Sequence, residues 1–538
     1  MLKVIILTVN LLLFYTLTNA QAAPFNISLE PINIENLGGV HSFAVGQSNN
    51  KWLIIGGRLD GLHQRQPSAA FDVAGNNIEL IVVDPITLKK WSASLASLPI
   101  PIQEQLSSTN MEFYQEGDYL YFIGGYGYSA TIGDHTTYSN LTAIKVPDVI
   151  NAIINGTDFT SFFRQITDAK FQVTGGRLRK INSNFYLVGG QKFIGKYNPN
   201  GPNSGQGFIQ EYTNAIRVFS IDDDGTSITI NHLPSFVDNT NLHRRDFNVE
   251  PQILPNGQEG ITAFSGVFQL TANLPFLNSV TIDSNGYEVN NTFLQYYNHY
   301  HCGVIPIYSS IDNKMHTVFF GGMSQYYDDN GTLVQDDNVP FINTIARVTR
   351  DADGIMTEYK LPVEMPTLLG SGSEFIPNKS IAHYPNDVIK LDEITDSDTV
   401  IGYIYGGISS TAANIFFTNT GVESSASSQV FKVILTNNTL AVEDYLNDQS
   451  RSSLKMEVHP IPNDGNFIIN YHLIKSDNVS ITITDTVGRE IEKVILTNQT
   501  EGDNTYIYKN SILPKNGVYF LTIKTSYEKV SRKIIIKK

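Results

Sequence analysis

The sequence predicts an all-β chain, a six-bladed β-propeller followed by a small C-terminal β-sandwich, and three observations carry that prediction. An apolar strand ending in two glycines recurs as KWLIIGGRLDG from Lys51, YLYFIGGYGY from Tyr119, NFYLVGGQKF from Asn184, HTVFFGGMSQYY from His316 and IGYIYGGISS from Ile401. A weaker copy, ITAFSGVFQL from Ile261, has Ser265 in place of the first glycine. A second pattern follows each copy: a strand, a tight Asp-containing turn and another strand, as in IVVDPITLKKWSASLASLP from Ile81, FSIDDDGTSITINHLP from Phe219 and RVTRDADGIMTEYKLP from Arg347. The third observation is composition: Tyr, Phe, Ile, Val, Thr, Asn and Gly dominate over the helix formers, as pleated, half-buried surfaces require.

The glycine marks fall at 56, 124, 189, 265, 321 and 406, and self-similarity on that scale decides a fold before local detail does. Each unit reads as four antiparallel strands. A polar-to-apolar strand (VHSFAV, SSTNMEFY) and a short turn precede the glycine-ended strand. A long polar loop, a third strand, an Asp or Gly turn and a fourth strand come after it. Asp-Pro and Asp-Gly pairs are hairpin chemistry. Radial repetition leaves only short, protected sheet edges, and a glycine pair is expected where neighbouring blades crowd. The sequence does not decide how the ring closes; one option is that FNISLEPINI donates an outer strand to the last blade. Only tight turns are expected on the face opposite the long loops.

The chain has 538 residues, 41% of them hydrophobic and 17% charged, which makes it globular and too long for one ordinary core. At the N-terminus, Lys3 precedes an apolar run, and small residues end it at Ala20 and Ala22. Residues 1–22 therefore read as a signal peptide. No later segment approaches the length of a membrane span. Cys302 is the single cysteine, so no intrachain disulfide forms. A net charge of −15 argues against nucleic-acid partners. The propeller is assigned to residues 23–447, a linker to 448–454 and the sandwich to 455–538.

Gly-Gly after an apolar strand, with VVDPITLKKW placing Trp91 behind a third strand, resembles the kelch-type propellers of the galactose oxidase and kelch superfamily. Most blades here lack that family's Trp, and the insertions are longer. From Lys455 the pattern changes to MEVHPIPNDGNFIINYHL, VSITITDTVGREI and ILPKNGVYFLTIKTSYEKVSRKIIIKK, with 12 Lys and Arg against 9 Asp and Glu after residue 451. Pro460, Pro462, Asn463 and Gly465, then Asp485, Gly488 and Arg489, then Gly517 and Tyr519 resemble the type A C-terminal sorting domain of the type IX secretion system of Bacteroidota. Ile461 departs from that pattern. The resemblance implies engagement with the type IX machinery, export to the medium or the outer-membrane surface, and removal of the tail or its exchange for an anchor.

Long loops on a rigid scaffold are where function concentrates. The first strands bring His41, Asn110, Arg177, Arg245 and His301 to the channel, and the loops add His63, Arg65, Asp134, His135 and Tyr327. Arg and His converging in an acidic protein suit an anionic or polyhydroxylated ligand. Filling the channel and pairing with Glu112, Asp246 or Glu250 is their alternative role. In QYYNHYHCGV, strand alternation would put His299 and His301 on one side and Cys302 on the other, with Tyr297 beside them. That His pair suits copper or zinc, and the rest of the chain calls for no cofactor. Two functions follow. One is a secreted binding protein for a glycan or a surface ligand on the long-loop face. The alternative is a secreted carbohydrate-acting enzyme or metal-dependent oxidase with its site in the channel.

Overall fold

The structure, a computed structural model, describes residues 23–65, 69–198, 207–437, 454–461, 463–485, 489–509, 516–526 and 529–537. The signal-peptide segment, linker residues 448–453, Pro462 and Gly488 lie outside the described residues. Two compact bodies emerge, one spanning Asn26–Thr436 and the other holding Asn437–Lys538.

The first body is built on six four-stranded antiparallel sheets in chain order, with a fifth short strand on blades 3 and 5. It carries three further sheets: Tyr126–Ser129, Asp134–Thr137, Gln191–Ile194 and Ile209–Tyr212 in one, Tyr326–Asp329 with Thr332–Gln335, and Leu368–Leu369, Ile408–Ser410 and Ser424–Ala426 in the last. The inner strands of the six are Ala44–Ser48, Glu112–Glu116, Arg177–Ile181, Asn248–Ile253, Gly303–Ser309 and Ser373–Pro377, and we number the blades 1 to 6 accordingly. Each inner strand pairs with the glycine-ended strand, which pairs with the third, which pairs with the fourth. Second and third strands are buried on both faces, which is why they read as unbroken apolar runs rather than alternating ones. Blade 6 takes its outer strand from the N-terminus: Phe25–Ile32 lies beside Val430–Asn437, with Phe25 and Ile27 buried. Trp52 of blade 1 meets Tyr403 of blade 6 edge-on at 5.1 Å, so the ring is closed.

The glycine pair does what the spacing implies. Gly124 has φ +65°, and a Cβ on it would lie 1.9 Å from the carbonyl oxygen of Val173 in the next blade. Any side chain there would push two blades apart. The repeated Asp residues cap their own turns: Asp84 accepts from the amides of Ile86 and Thr87, both at 3.0 Å, and Asp351 from those of Asp353 and Ile355 at 3.0 and 2.9 Å.

The face opposite the long loops differs from the expectation of tight turns alone. Between the third and fourth strands of blade 2 runs a helix, Val146–Asn155, whose Val146, Val149, Ile150 and Ile153 pack into the core of blades 1 and 2. Its 3.6-residue apolar spacing was hidden within a β pattern. In blade 6 the first and second strands are joined by residues 378–398, whose segment Ile389–Lys390 pairs in parallel with the inner strand of blade 5. Asn386 of this strap reaches the carbonyl of Gln252 in blade 4. Val388 is buried against Ile253, Tyr308 and Met315, so the strap lies across the inner strands at that end of the axis.

The second body is two sheets: Lys455–His459, Phe467–Leu473 and Gly502–Tyr508 in one, and Asp477–Thr484, Glu490–Gln499, Gly517–Lys524 and Lys529–Ile536 in the other. Alternate residues of Phe467–Leu473 are buried, and Phe467, Ile469, Tyr471, Ile481, Leu521 and Ile534 share one core. That is sandwich packing, with one face of each sheet dry.

Candidate functional site

Just before each inner strand one residue has left-handed backbone: Ser42 (φ 55°), Asn110 (52°), Gly175 (70°), Asp246 (50°), His301 (35°) and Gly372 (73°). Their backbones form a belt around the axis. Ser42 N–H donates to Gly372 O (2.7 Å), Asn110 to Ser42 (3.1 Å), Gly175 to Asn110 (3.3 Å), Asp246 to Gly175 (2.7 Å) and Gly372 to His301 (2.6 Å). Four of these positions carry side chains at a strained φ, which short polar residues tolerate best. The two glycines belong to blades 3 and 6, which face each other across the ring.

Inside the belt lies a small cavity, with room for about one water, lined by Ser42, Asn110, Asp246 and His301, with Arg177 and Glu374 from blades 3 and 6. Arg177 spans the axis, donating from Nη1 to Glu374 Oε1 (3.0 Å) and from Nε to the carbonyl of Phe247 (3.3 Å). His301 Nε2 lies 3.3 Å from the same carboxylate oxygen. Burial alone would raise Glu374, but the Arg177 and His301 charges and hydrogen bonds hold it down at about 2. Burial opposes the charge on Arg177 too, and the Glu374 carboxylate first, with Glu250, more than compensates. A layer further along, Arg179 binds Glu250 at 3.1 Å. Glu112 is different. Its Oε1 accepts from Gly176 N–H at 2.7 Å, its Oε2 is buried without a partner, and burial pushes its pKa to about 8. The carboxyl is therefore protonated at neutral pH.

Above the belt the loops of blades 1, 2, 3 and 6 converge in an aromatic roof. The His63 ring stacks on Phe71 at 5.5 Å and meets Tyr197 and Phe416 edge-on at 4.8 and 5.6 Å. His135 contacts Tyr126 and Tyr128 and its Nε2 reaches the carbonyl of Phe71 at 2.9 Å. Burial lowers both imidazoles, His63 to about 4, so both are neutral at pH 7. Arg58, immediately after the first glycine pair, lies over Phe71 and forks onto Asp60. Arg65 lies over Phe417, 4.9 Å from its centroid, and Phe417 is 57% exposed. Arg245 pairs with Asp246 and donates to the Tyr212 hydroxyl at 2.9 Å.

The structure thus gathers His63, Arg65 and His135 in the roof, and Arg177 and His301 at the cavity. His41 lies beside Arg58 and Asp60, its Nδ1 3.0 Å from Ser42 Oγ. Tyr297 goes elsewhere, buried against Ile342 and Ala346 inside blade 5, with Tyr327 packed on the same group. Asp134 turns back to accept from the His135 amide at 2.7 Å. His299 and His301 do not share a side. Both have positive φ, so strand alternation fails before Gly303. His299 stacks on Phe319 at 5.3 Å and contacts the Gly321 carbonyl, whereas His301 turns to Glu374. Among the described residues no three His, Cys, Asp or Glu side chains could hold a metal ion. Arg58, Glu374 and the roof aromatics are missing from the sequence-derived set. Arg58 had a signal, since it follows a glycine pair directly. Glu374 had little, because SGSEFIP is a faint copy of the inner-strand pattern.

Residues 457–537 match the family described as a secretion system C-terminal sorting domain. The C-terminal body is a type IX sorting domain. The protein is accordingly secreted or attached to the cell surface, engaging the type IX machinery through this domain. In the sorting domain Asn463 accepts from Gly465 N–H (2.9 Å) and donates to the Pro460 carbonyl (3.0 Å), while its backbone pairs with the last strand at Ile535 and Lys537. Asp485 accepts from the amide and Nε of Arg489 at 2.9 and 3.0 Å. Gly517 opens the strand that puts Tyr519 in the core. These motif residues hold turns against the sheets. Among the described residues no helix is long and apolar enough to cross a membrane.

No curated protein matches the chain. Two solved structures are similar: "Structure of YjhT", at 12% identity and TM-score 0.39, covering 74% of this chain and 98% of that one, and a cryo-EM structure of RAG in complex with one melted and one unmelted RSS, at 11% and 0.37, covering 76% and 99%. The kelch-like propeller architecture stands on the closed ring of sheets described above.

Proposed function

We propose that the exported propeller is a binding protein that takes a glycan or a surface ligand on its long-loop face, at the roof above the axis. The observation that carries this reading is the roof's exposed edge, where Phe417 presents an open ring braced by the Arg65 guanidinium. Aromatic faces and Arg side chains are what sugar rings, carboxylates and protein anchors are recognised by. Below the roof, Arg177, Arg179 and Arg245 are committed to Glu374, Glu250 and Asp246, which suits a framework role. The test is binding of the mature full-length chain to an immobilised panel of polysaccharides and outer-surface proteins. A hit weakened at least tenfold by Phe417→Ala supports the reading. A hit indifferent to Phe417→Ala and Arg65→Ala overturns it.

One observation favours the alternative of a carbohydrate-acting enzyme. Glu112 is a buried, protonated carboxyl with an unpartnered oxygen close to the cavity, and perturbed acids near clefts mark candidate catalytic groups. Turnover of a sugar substrate abolished by Glu112→Gln, in a protein with unchanged folding, would establish that reading instead.

A further inference from the structure

Five of the six blade junctions share two backbone hydrogen bonds. One is a link of the axial belt. The other runs from the amide of the second glycine to the next blade: Gly57 to Ser108 O, Gly125 to Val173 O, Gly190 to Arg244 O, Gly322 to Leu369 O and Gly407 to Val40 O, at 2.8 to 3.2 Å. Among the described residues the junction of blades 4 and 5 has neither. His301 N–H does not reach Asp246 O, and Gly266 N–H reaches no carbonyl across the junction. The first glycine of the pair is also missing here, replaced by Ser265 at φ 55°.

A single side chain stands in for both bonds. Asn248, the first residue of blade 4's inner strand, donates from Nδ2 to the carbonyl of His299 at 2.6 Å and accepts from the amide of Cys302 at 3.2 Å. Counting back from the belt residue, His299 O is the counterpart of the carbonyls that elsewhere receive the glycine amide. The same segment holds buried polar atoms without partners, both amide atoms of Gln295 and His299 Nε2, and so does Glu358 Oε1, whose other oxygen accepts from the Tyr296 amide at 2.8 Å. Buried polar groups that only water can satisfy favour a locally open state. At the cavity end the apolar cluster across the joint is Phe264, Phe293, Cys302, Val304, Phe319 and Val348, while its far end is braced by Gln252 on Thr317 at 3.2 Å, by Arg350 on the Ile253 carbonyl at 2.6 Å and by the strap at Val388.

We infer that the junction of blades 4 and 5 is the seam at which the ring opens first, by local separation of the two inner strands at their cavity ends, with Asn248 as its latch. The seam ends at Asp246 and His301 in the cavity wall, so its opening widens the cavity on the side of Arg245. Nothing in this inference depends on which ligand the roof takes.

Cys302, the only cysteine in the chain, is buried in the seam at 2% exposure and reports on it without background. The experiment is labelling of the native full-length protein with a thiol reagent across a urea series, beside global unfolding followed by tyrosine fluorescence. The expected result is labelling in water at least 100-fold faster than extrapolated global unfolding allows, with a shallow urea dependence. Asn248→Asp, which keeps the acceptor for Cys302 and loses the donor to His299, should speed labelling at least tenfold and leave the global unfolding slope unchanged. Labelling that follows global unfolding in rate and urea dependence overturns the inference. So does a folded Asn248→Asp protein that labels at the parental rate. Should Asn248→Asp fail to fold, the parental urea series decides alone.

Discussion

The axial cavity and the roof above it are built from the same residue types and held by different physics. In the cavity, Arg177 and Glu374 sit on inner strands and His301 on the belt that locks their backbones, and each charge is buried against its partner. In the roof, His63 and Arg65 sit on a loop and His135 on a short strand of the loop sheet, and their side chains are held by ring contacts and cation–π geometry, with one edge in water. Low dielectric makes the first set strongly interdependent. The second set gains little from any one contact and can vary without endangering the fold. A fixed scaffold and an adaptable surface are thus separated within a single site, along the propeller axis.

The largest effect that would break this contrast is in the cavity. Glu374→Ala leaves the Arg177 guanidinium buried without its carboxylate, and removing one partner of a buried pair costs about 3–5 kcal/mol. Urea unfolding should show a loss of that order, partly recovered in the double variant Arg177→Met/Glu374→Ala. A loss under about 1 kcal/mol would mean that water reaches the pair. Next in size is closure of the ring. Ile27→Ala removes a buried side chain from the strand that completes blade 6 and should cost about 2–5 kcal/mol. Removal of the sorting domain after Asn437 should leave the propeller's melting temperature unchanged, because its last blade is completed from the N-terminal side.

The scaffold was legible in the sequence because backbone geometry forced it. A left-handed pair pressed against the next blade's carbonyl admits glycine at Gly124 and its equivalents, and the spacing of those marks counts the blades. The Asp turns were legible for the same reason. Closure by the N-terminal strand was one option open to FNISLEPINI, and only the paired strands decide it. What could not be read was anything that depends on tertiary partners. Tyr297 looks like a site residue beside His299 and is core; Glu374 looks like nothing and anchors the cavity. The helix Val146–Asn155 was lost because ten residues of period 3.6 sit between strands of a repeat that predicts a turn. His299 and His301 illustrate the limit most sharply, since alternation presumes a strand and both have left-handed φ.

Proton titration sharpens the comparison at intermediate size. Glu112 has a folded pKa raised to about 8, above the unfolded carboxyl value of about 4.3. Its contribution to stability is therefore complete below pH ~4 and is lost as pH rises through about 8. Glu374 runs the other way. Held at about 2, it contributes fully above its unfolded pKa, and that contribution falls away as pH drops from about 4.5 toward 2. A single group of either kind changes stability by at most about 1.4 kcal/mol per pH unit within its window. Glu112→Gln should flatten the decline of stability between pH 5 and 8 without altering the acid limb. Melting temperatures across that range check it, and an unchanged slope would place water beside Glu112. His63 and His135, neutral in the folded roof through burial, add the opposite trend, a loss of stability as pH falls below about 6.5, where both charge in the unfolded chain.

The smallest effect belongs to the roof and tests the contrast from the other side. Arg65 donates its backbone amide to the Asn419 carbonyl and lays its guanidinium over the exposed ring of Phe417. Its side chain forms no salt bridge among the described residues. An exposed cation–π contact is worth about 0.5–1 kcal/mol, so Arg65→Ala should lower stability by no more than that, within the scatter of ordinary surface substitutions. Because the stem and guanidinium also cover the Phe417 ring, the same change should leave Phe417 more accessible and more mobile. A loss of 3 kcal/mol or more from Arg65→Ala would mean that the roof is as interlocked as the cavity. The separation between fixed axis and variable surface would then fail, because loops carrying ligand contacts could not change without unsettling the ring beneath them.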